Sequence, residues 1–120
     1  MTLRVRWLGR VDYTDALALQ RALCAGTDDY LLLLEHPHTY TMGVRADAAN
    51  ILVDPHDVGA RLVRADRGGD VTYHGPGQLV GYPILTLADH AAGEMPSTRA
   101  HVLNIEHLVI EALADLGLPG

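Results

Sequence analysis

Apolar and polar residues alternate at the start of the chain, which is the pattern of a β-strand with one apolar face. The apolar positions are Leu3, Val5 and Trp7, and the polar positions between them are Thr2, Arg4 and Arg6. We therefore expect a first strand whose leucine, valine and tryptophan form the apolar face and whose arginines lie in water.

A helix is predicted directly after this strand. Asp12 or Thr14 can cap its amino terminus, and Asp15 is favourably placed in the first turn. The helix is expected to end near Cys24, and the residues expected near one face of it are Tyr13, Leu17, Gln20 and Cys24. Cys24 is interpreted as a packing residue on that face, because a free buried cysteine behaves as a small hydrophobe.

Two further strands are predicted at residues 30–35 and 39–44, with His36, Pro37 and His38 at the corner between them. We expect both strands to lie centrally. The two histidines are interpreted as partners of the turn backbone rather than metal ligands, because no third histidine or cysteine stands at ligand spacing. The polar segment that follows, residues 45–59, predicts a mobile surface loop with a short helical turn.

The rest of the chain predicts one more strand and one long helix. Residues 79–87 form a strand-like apolar run, and residues 88–96 predict a loop. Ser97 or Thr98 can then cap a helix that ends near Leu116, where a glycine and a proline follow. Strands joined by hairpins and followed by a covering helix predict an α+β fold, with residues 1–120 as a single partial domain.

The most informative stretch is R-G-G-D-V-T-Y-H-G-P-G-Q at residues 67–78. Its four glycines are Gly68, Gly69, Gly75 and Gly77. Without a Cβ they allow positive φ and let the main chain approach a ligand directly, while Arg67 and His74 supply polar side chains. Glycine pairs also form plain hairpin turns. Two glycine clusters around a short strand at residues 71–73 favour a binding site over turns alone.

With this block in place, the sequence resembles the lipoyl(octanoyl) transferase family, the octanoyl-acyl carrier protein:protein N-octanoyltransferases. Other segments that carry the resemblance are Leu33-Leu34-Glu35-His36-Pro37, Tyr40-Thr41-Met42-Gly43 and Leu79-Val80-Gly81-Tyr82-Pro83. It extends from Asp12, Tyr13 and Gln20 to residues 113–117, and so covers essentially the whole chain. It implies a mixed sheet with covering helices, similar to the catalytic core of biotin/lipoate protein ligases and incomplete at the carboxyl terminus.

The resemblance implies an acyltransferase that needs no cofactor and no metal. Family members move an octanoyl group from acyl carrier protein through a cysteine thioester to a lysine of lipoyl domains. Those acceptors are the lipoyl domains of 2-oxoacid dehydrogenase complexes and the glycine cleavage H protein. The positions that match the family's substrate-binding segment are Arg67, Gly68, Gly69, Asp70, Val71, Thr72, Tyr73 and His74. Position 70 varies in that motif, so Asp70 is expected to contribute through its backbone.

The chain also departs from the family pattern. The nucleophilic cysteine and the lysine that activates it belong to a later portion of the family sequence. This sequence has no lysine, and its one cysteine, Cys24, lies in the first predicted helix. A thioester route needs a thiolate stabilised by a nearby cation or base. We therefore interpret the chain as the amino-terminal half of such an enzyme and expect it to be inactive alone.

Composition excludes several other classes of function. The formal charge of −6 and the pI near 5.5 argue against a nucleic-acid partner, which requires concentrated lysine and arginine. One cysteine cannot form an internal disulfide, and charges interrupt the apolar residues at the start, so no signal peptide is predicted. No apolar run is long enough to span a bilayer. These features favour a cytoplasmic protein.

Roles within the candidate site follow from side-chain chemistry. His74 can bond an acyl carbonyl or position the incoming amine, whereas Arg67 can either contact the ligand or hold the loop through backbone carbonyls. The residues proposed to line an apolar slot for the octanoyl chain are Leu33, Tyr40, Val71 and Tyr73. Arg61, Arg64 and Arg67 recur every third residue and can either solvate a surface or meet an acidic protein. A further hypothesis is that some of them, together with Arg45, form a locally positive rim that docks the acidic carrier protein.

Two other functions remain open at the level of sequence. An ATP-dependent lipoate or biotin ligase shares the fold and a glycine-rich loop, but the continuation at residues 74–78 favours the transferase. A non-catalytic acyl-binding remnant is the second alternative, because the acyl-binding loop is present without the nucleophile.

Overall fold

The computed structural model describes residues 2–87 and 98–120, which fall into two compact units, Met1–Leu85 and Thr86–Gly120. The first unit contains β1 (Leu3–Arg10), α1 (Tyr13–Cys24), β2 (Asp29–Glu35), β3 (Thr39–Met42), β4 (Arg61–Arg64), β5 (Val71–His74) and β6 (Val80–Ile84). The second contains α2 (Thr98–Asp115). The loop predicted at residues 88–96 and the cap predicted at Ser97 lie outside the described residues. The single partial domain stays a prediction.

The strands of the first unit form two mixed sheets of three strands each. In one, β2 lies between β1, which is parallel to it, and β6, which is antiparallel. In the other, β3 lies between the parallel β4 and the antiparallel β5. The expected central position of the second and third strands is confirmed, although each is central in its own sheet. The α+β class with mixed sheets is also confirmed.

Helix α1 covers one face of the β1–β2–β6 sheet and makes the core of the first unit. The buried residues of that core are Ala16, Leu32, Leu34 and Ile84. Asp12 is the amino-terminal cap, as predicted, and its carboxylate accepts from the Thr14 amide at 3.0 Å. The prediction for Cys24 is wrong: its side chain is exposed, because the buried face of α1 is centred on Ala16 and continues through Leu19 and Leu23.

The apolar face of β1 is not the face that α1 covers. Leu3, Val5 and Trp7 are 49%, 50% and 61% exposed, whereas Leu8 packs against the core. Register explains this outcome, since Arg6 pairs with Leu32 and therefore shares the helix-covered face, and Trp7 pairs with Leu33 on the opposite face. The expectation that the arginines of β1 lie in water is confirmed, since Arg4 and Arg6 are exposed, although they are on the side of the sheet that α1 covers.

The predicted loop between β3 and β4 contains two short 3₁₀ turns. They span Ala48–Asn50 and Pro55–Val58, and each is capped by the carboxylate of the preceding aspartate, Asp47 or Asp54. The predicted helical turn in this segment is thus confirmed. Strand β3 ends at Met42 rather than at residue 44, because the backbone after Met42 pairs with the glycine-rich loop instead of a strand.

Helix α2 ends where the sequence predicts. Gly117 adopts a φ of 82°, its amide donates to the Ala114 carbonyl, and the Leu118 amide donates to the Leu113 carbonyl. This is the Schellman arrangement that glycine permits at a helix end. None of the described residues of α2 is buried. Among the described helices, none has the length and apolar character required to cross a membrane.

Candidate functional site

Residues 67–70, here called the glycine loop, are held by the segment at residues 43–45 that follows β3. Each carbonyl of the glycine loop accepts a hydrogen bond. The donors are the Val44 amide to Arg67 at 3.0 Å, the Arg67 Nη1 to Gly68 at 2.9 Å, the Arg45 amide to Gly69 at 3.1 Å and the Gly43 amide to Asp70 at 3.0 Å. The loop is therefore fixed through its oxygen atoms, and its conformation does not depend on a ligand.

The amide groups of the same loop are in the opposite situation. Within residues 2–87 and 98–120, the amides of Gly68, Gly69 and Asp70 donate to no other group, and all three residues are exposed. Gly69 has a φ of 88°, as the sequence predicts for a glycine here, whereas Gly68 has no positive φ. Unpaired amides on a loop that is held through its carbonyls are available as donors to a negatively charged or polarised oxygen.

Gly43 is required by the close approach of the two backbones. A Cβ added at Gly43 would lie 2.4 Å from the Gly69 carbonyl oxygen and 2.9 Å from the Gly68 carbonyl oxygen. These distances are far inside van der Waals contact, and both atoms belong to the backbone. From the sequence, Gly43 stands out only as part of the family resemblance, because nothing local shows that its partner is a loop 25 residues further along the chain.

Arg67 bonds to the protein itself with three nitrogens. Its Nη2 donates to the Thr41 carbonyl at 2.9 Å and to Thr41 Oγ1 at 2.7 Å, and its Nε lies 3.3 Å from the same Oγ1. With the Nη1 bond to the Gly68 carbonyl, the guanidinium joins β3 to the glycine loop. Of the two roles that the sequence leaves open, the geometry supports the one in which Arg67 holds the loop through backbone carbonyls.

Asp70 contributes more than the backbone role expected from the sequence. Its carbonyl does bond to Gly43, but its carboxylate also accepts from the Asp47 amide at 3.0 Å, from the Val71 amide at 2.9 Å and from the Asn50 side chain. The bond from the Asp47 amide is the main reason that the pKa of Asp70 lies below its ordinary value, and Arg67 adds to it. Asp70 therefore ties the first 3₁₀ turn to the glycine loop.

The remaining candidate residues belong to strand β5 and lie on two different faces of its sheet. Thr72 and His74 share the face of Thr41, whereas Val71 and Tyr73 lie on the face of Tyr40 and Met42. Tyr40 and Tyr73 are in contact, with ring centroids 5.2 Å apart. Of the four residues proposed for the octanoyl slot, Tyr40, Val71 and Tyr73 therefore share a surface, and Leu33 belongs to the other sheet.

His74 lies in a cluster of rings between the two sheets of the first unit. Its ring centroid is 5.8 Å from that of Tyr13 and 5.7 Å from that of His36, and its Nε2 is 3.2 Å from Thr41 Oγ1. Burial lowers the pKa of His74 below its ordinary value of 6.5, and the nearby His36 and Arg67 lower it further, against a hydrogen bond with Gln78 that raises it. The imidazole is therefore neutral at neutral pH.

Stability should depend on this pKa. Because the pKa of His74 is lower in the folded chain, the unfolded chain binds more protons at this residue below pH 6.5. The contribution of His74 to the free energy of unfolding is thus complete above pH 6.5 and is lost on acidification. Urea denaturation of the wild type and of His74→Gln at pH 7.5 and 5.5 should show a larger loss for the wild type. An equal loss in both proteins would contradict the assignment.

His36 is fully buried and is bonded at both ring nitrogens. Nδ1 lies 2.7 Å from the Val11 carbonyl oxygen, and Nε2 lies 2.7 Å from the Tyr82 hydroxyl. A carbonyl only accepts, so Nδ1 donates to Val11, and Nε2 is paired with the Tyr82 hydroxyl. Burial first, and then Tyr13, raise the pKa of Tyr82 to about 12, so this hydroxyl keeps its proton.

The expectation that the two corner histidines bond the turn backbone is wrong for both. His36 bonds the carbonyl of Val11, which directly follows β1. His38 Nδ1 lies 2.5 Å from the Tyr73 hydroxyl. Both histidines therefore bond residues on distant segments of the chain instead of the backbone of their own turn. In the part of the chain that the structure describes, no three residues of metal-binding type are grouped so as to hold an ion.

The arginines proposed for carrier docking are not equivalent. Arg61 forms an ion pair with Asp12, the cap of α1, and this contact contributes to the lowered pKa of Asp12, after the larger effect of the Thr14 hydroxyl. Both partners of that pair are at least partly exposed, so its net effect on stability is small. Part of the charge assigned to the rim is therefore paired within the protein, and the docking role stays a prediction.

Four residues of the site belong to segments that carry the family resemblance, but the sequence alone gives them no role in the site. Thr41, His36, Tyr13 and Tyr82 meet the candidate residues only because two sheets and one helix converge. Their sequence signal is weak, since a threonine in a strand and a tyrosine at a helix start are ordinary residues there. The block at residues 67–78 could be found because its glycines are unusual, and the carbonyls of its glycine loop all accept hydrogen bonds.

Known proteins are similar to this chain over nearly its whole length. The family model of the lipoyl protein ligase A/B catalytic domain matches residues 12–120. An octanoyltransferase of Gloeobacter violaceus is 47% identical over 118 residues, which are 93% of this chain and 50% of the relative. One of Mycobacterium bovis is 48% identical, over 95% of this chain and 47% of the relative. The chain spans about half the length of the curated relatives it matches.

Solved structures share the fold. A lipoate-protein ligase A bound with ATP superposes with a TM-score of 0.78 at 23% identity, over 99% of this chain and 49% of that one. The protein Ta0514 of T. acidophilum with bound lipoic acid gives a TM-score of 0.75 at 23% identity, over 99% of this chain and 50% of that one. The predicted similarity to the lipoate ligase catalytic core is thus confirmed.

Proposed function

Because this chain belongs to the lipoyl protein ligase A/B catalytic domain family, we propose that it is part of an octanoyltransferase. The donor is octanoyl-acyl carrier protein, and the acceptors are lysines of lipoyl domains, in 2-oxoacid dehydrogenase complexes and in the glycine cleavage H protein. In the overall reaction a thioester C–S bond breaks, an amide bond to the lysine nitrogen forms, and the carrier thiol leaves with a proton. We also propose that the protein is cytoplasmic.

The unpaired amides of Gly68, Gly69 and Asp70 are the observation on which this proposal depends. A thioester carbonyl gains negative charge when a nucleophile attacks it, and fixed amide donors stabilise that charge without reorganising. Here the carbonyls of the loop are all bonded, so the loop keeps its amides directed outward. We assign the substrate-binding role to residues 67–74, with Arg67 and Asp70 holding the loop that the ligand contacts.

The acyl chain and the acyl head use different parts of the proposed site. Tyr40, Val71 and Tyr73 offer an apolar surface for the octanoyl chain, with Tyr73 42% exposed. The nucleophilic cysteine and its lysine partner are not among the residues of this chain, and Cys24 lies on the exposed side of α1. We therefore expect the 120-residue chain to bind an octanoyl thioester without transferring the acyl group.

Replacing Gly69 with alanine should weaken binding of octanoyl-pantetheine. The added methyl forces a non-glycine residue to a φ of 88° and so turns the amides of the loop away from the ligand. Loss of one hydrogen bond of about 1 kcal/mol predicts an affinity about fivefold lower. The measurement is a titration followed through the backbone amide resonances, in which residues 68–70 should shift most.

Gly59→Ala is the matched control. Gly59 also has a positive φ, 70°, and no atom lies within 4 Å of the added Cβ, so its backbone strain is similar but remote from the glycine loop. Its affinity for octanoyl-pantetheine should equal that of the wild type. Equal losses in both variants, or formation of an octanoyl or lipoyl adenylate from ATP, would contradict the transferase assignment, and the second result would favour a ligase.

A further inference from the structure

Thr41 lies at the point where the glycine loop and the ring cluster meet. It is fully buried on β3, and its hydroxyl contacts both Arg67 and His74, which do not bond to each other. No role for Thr41 is evident from the sequence alone. What Thr41 does to His74 follows from the donors and acceptors around its hydroxyl oxygen.

The oxygen of Thr41 has its acceptor capacity taken by Arg67. Nη2 donates to it at 2.7 Å and Nε approaches it at 3.3 Å, and a guanidinium can only donate. The hydroxyl proton must therefore point to an acceptor. Two acceptors are within reach, the Thr72 carbonyl oxygen at 3.5 Å and His74 Nε2 at 3.2 Å. The closer of them is His74, so its Nε2 is the better partner.

A hydroxyl that donates to Nε2 requires this nitrogen to carry no proton. In the neutral imidazole the single ring proton then lies on Nδ1, so the Thr41 hydroxyl specifies one tautomer.

We propose that Thr41 is a positioning residue that fixes His74 as the tautomer protonated on Nδ1. Arg67 then acts on His74 through Thr41, by orienting the hydroxyl proton towards Nε2. Under the proposed function, on which this step rests, the Nδ1–H is the group of His74 that can donate to the acyl carbonyl. His74 is thereby a hydrogen-bond donor, and Nε2 is not available as a base.

The tautomer can be measured in the 120-residue chain by two-bond nitrogen–proton correlation spectra of the histidine rings, without ligand and above pH 6.5. Wild type and Thr41→Ser, which keeps the hydroxyl, should show His74 protonated on Nδ1. Thr41→Val, which keeps the shape and loses the hydroxyl, should show a mixture of both tautomers. Thr39→Val is the matched control, because Thr39 is a buried threonine on the same strand whose hydroxyl donates to the Pro37 carbonyl.

Two results would overturn the inference. One is a wild-type His74 protonated on Nε2, which can be seen even if Thr41→Val fails to fold. The other is a Thr41→Val spectrum in which His74 keeps the wild-type tautomer. Failure of the proposed function has a different signature, namely a wild-type chain that does not bind octanoyl-pantetheine while its His74 tautomer is as expected.

Discussion

Gly43→Ala is expected to destabilise the first unit more than any other single methyl addition that we describe. The new Cβ would stand 2.4 Å from the Gly69 carbonyl oxygen, so the two backbones must separate. Separation breaks the pairing of residues 43–45 with the glycine loop, which consists of three backbone hydrogen bonds. Overpacking of this kind costs about 3 kcal/mol. Urea denaturation followed by circular dichroism should show a midpoint well below that of the wild type.

Gly26→Ala provides the comparison for this variant. Gly26 has no positive φ, and its added Cβ would lie 3.4 Å from the Leu23 carbonyl oxygen, which is an ordinary contact. Its stability should stay within about 0.5 kcal/mol of the wild type. Gly68→Ala extends the comparison into the glycine loop, because no atom lies within 4 Å of its Cβ. If Gly68→Ala and Gly43→Ala lost equal stability, close backbone approach would not be the cause.

His36→Leu is expected to have the second large effect. The leucine stands at a completely buried position, and it leaves the Val11 carbonyl and the Tyr82 hydroxyl, which belong to half-buried residues, without their present partner. Each unsatisfied buried polar group costs about 1–3 kcal/mol, so a total loss of about 3 kcal/mol is expected. Trp7 is 61% exposed and a poor reporter of this core, so unfolding is better followed by circular dichroism.

His38→Leu is the control for the histidine substitution. It occupies the same corner, two residues away, but its side chain is exposed and its one bond, to the Tyr73 hydroxyl, can be replaced by water. Its loss of stability should be below about 1 kcal/mol. A loss in His38→Leu as large as that in His36→Leu would show that both histidines act on the corner itself. The bonds to Val11 and Tyr82 would then not be the cause.

Elements with a local signal could be predicted closely. The cap at Asp12, the end of α1 at Cys24 and the glycine at the end of α2 all depend on residues within one turn of each other. The short strand β5 was expected from the two glycine clusters on either side of it. In each case the atoms that determine the structure are neighbours in sequence, so the pattern of residue types contains the necessary information.

Which face of an element is covered could not be predicted in the same way. Alternation shows that β1 has an apolar and a charged face, but register with β2 places the charged face beside Leu32 and α1. For the same reason the buried face of α1 differs from the predicted one, and Cys24 is exposed. Which element covers a given face depends on how the strands pair and connect. The periodicity of the sequence does not contain that information.

The amino-acid sequence by itself determined the chemistry that is available: bare main chain at residues 68 and 69, an arginine and a histidine in the same block, and membership of the lipoyl protein ligase A/B catalytic domain family. Only the tertiary structure decided what those groups contact. Arg67 meets Thr41 across 26 residues, and His36 meets Tyr82 across 46. Such pairs form because strands from distant parts of the chain align, and hydrogen bonds between them exist only once the sheets are assembled.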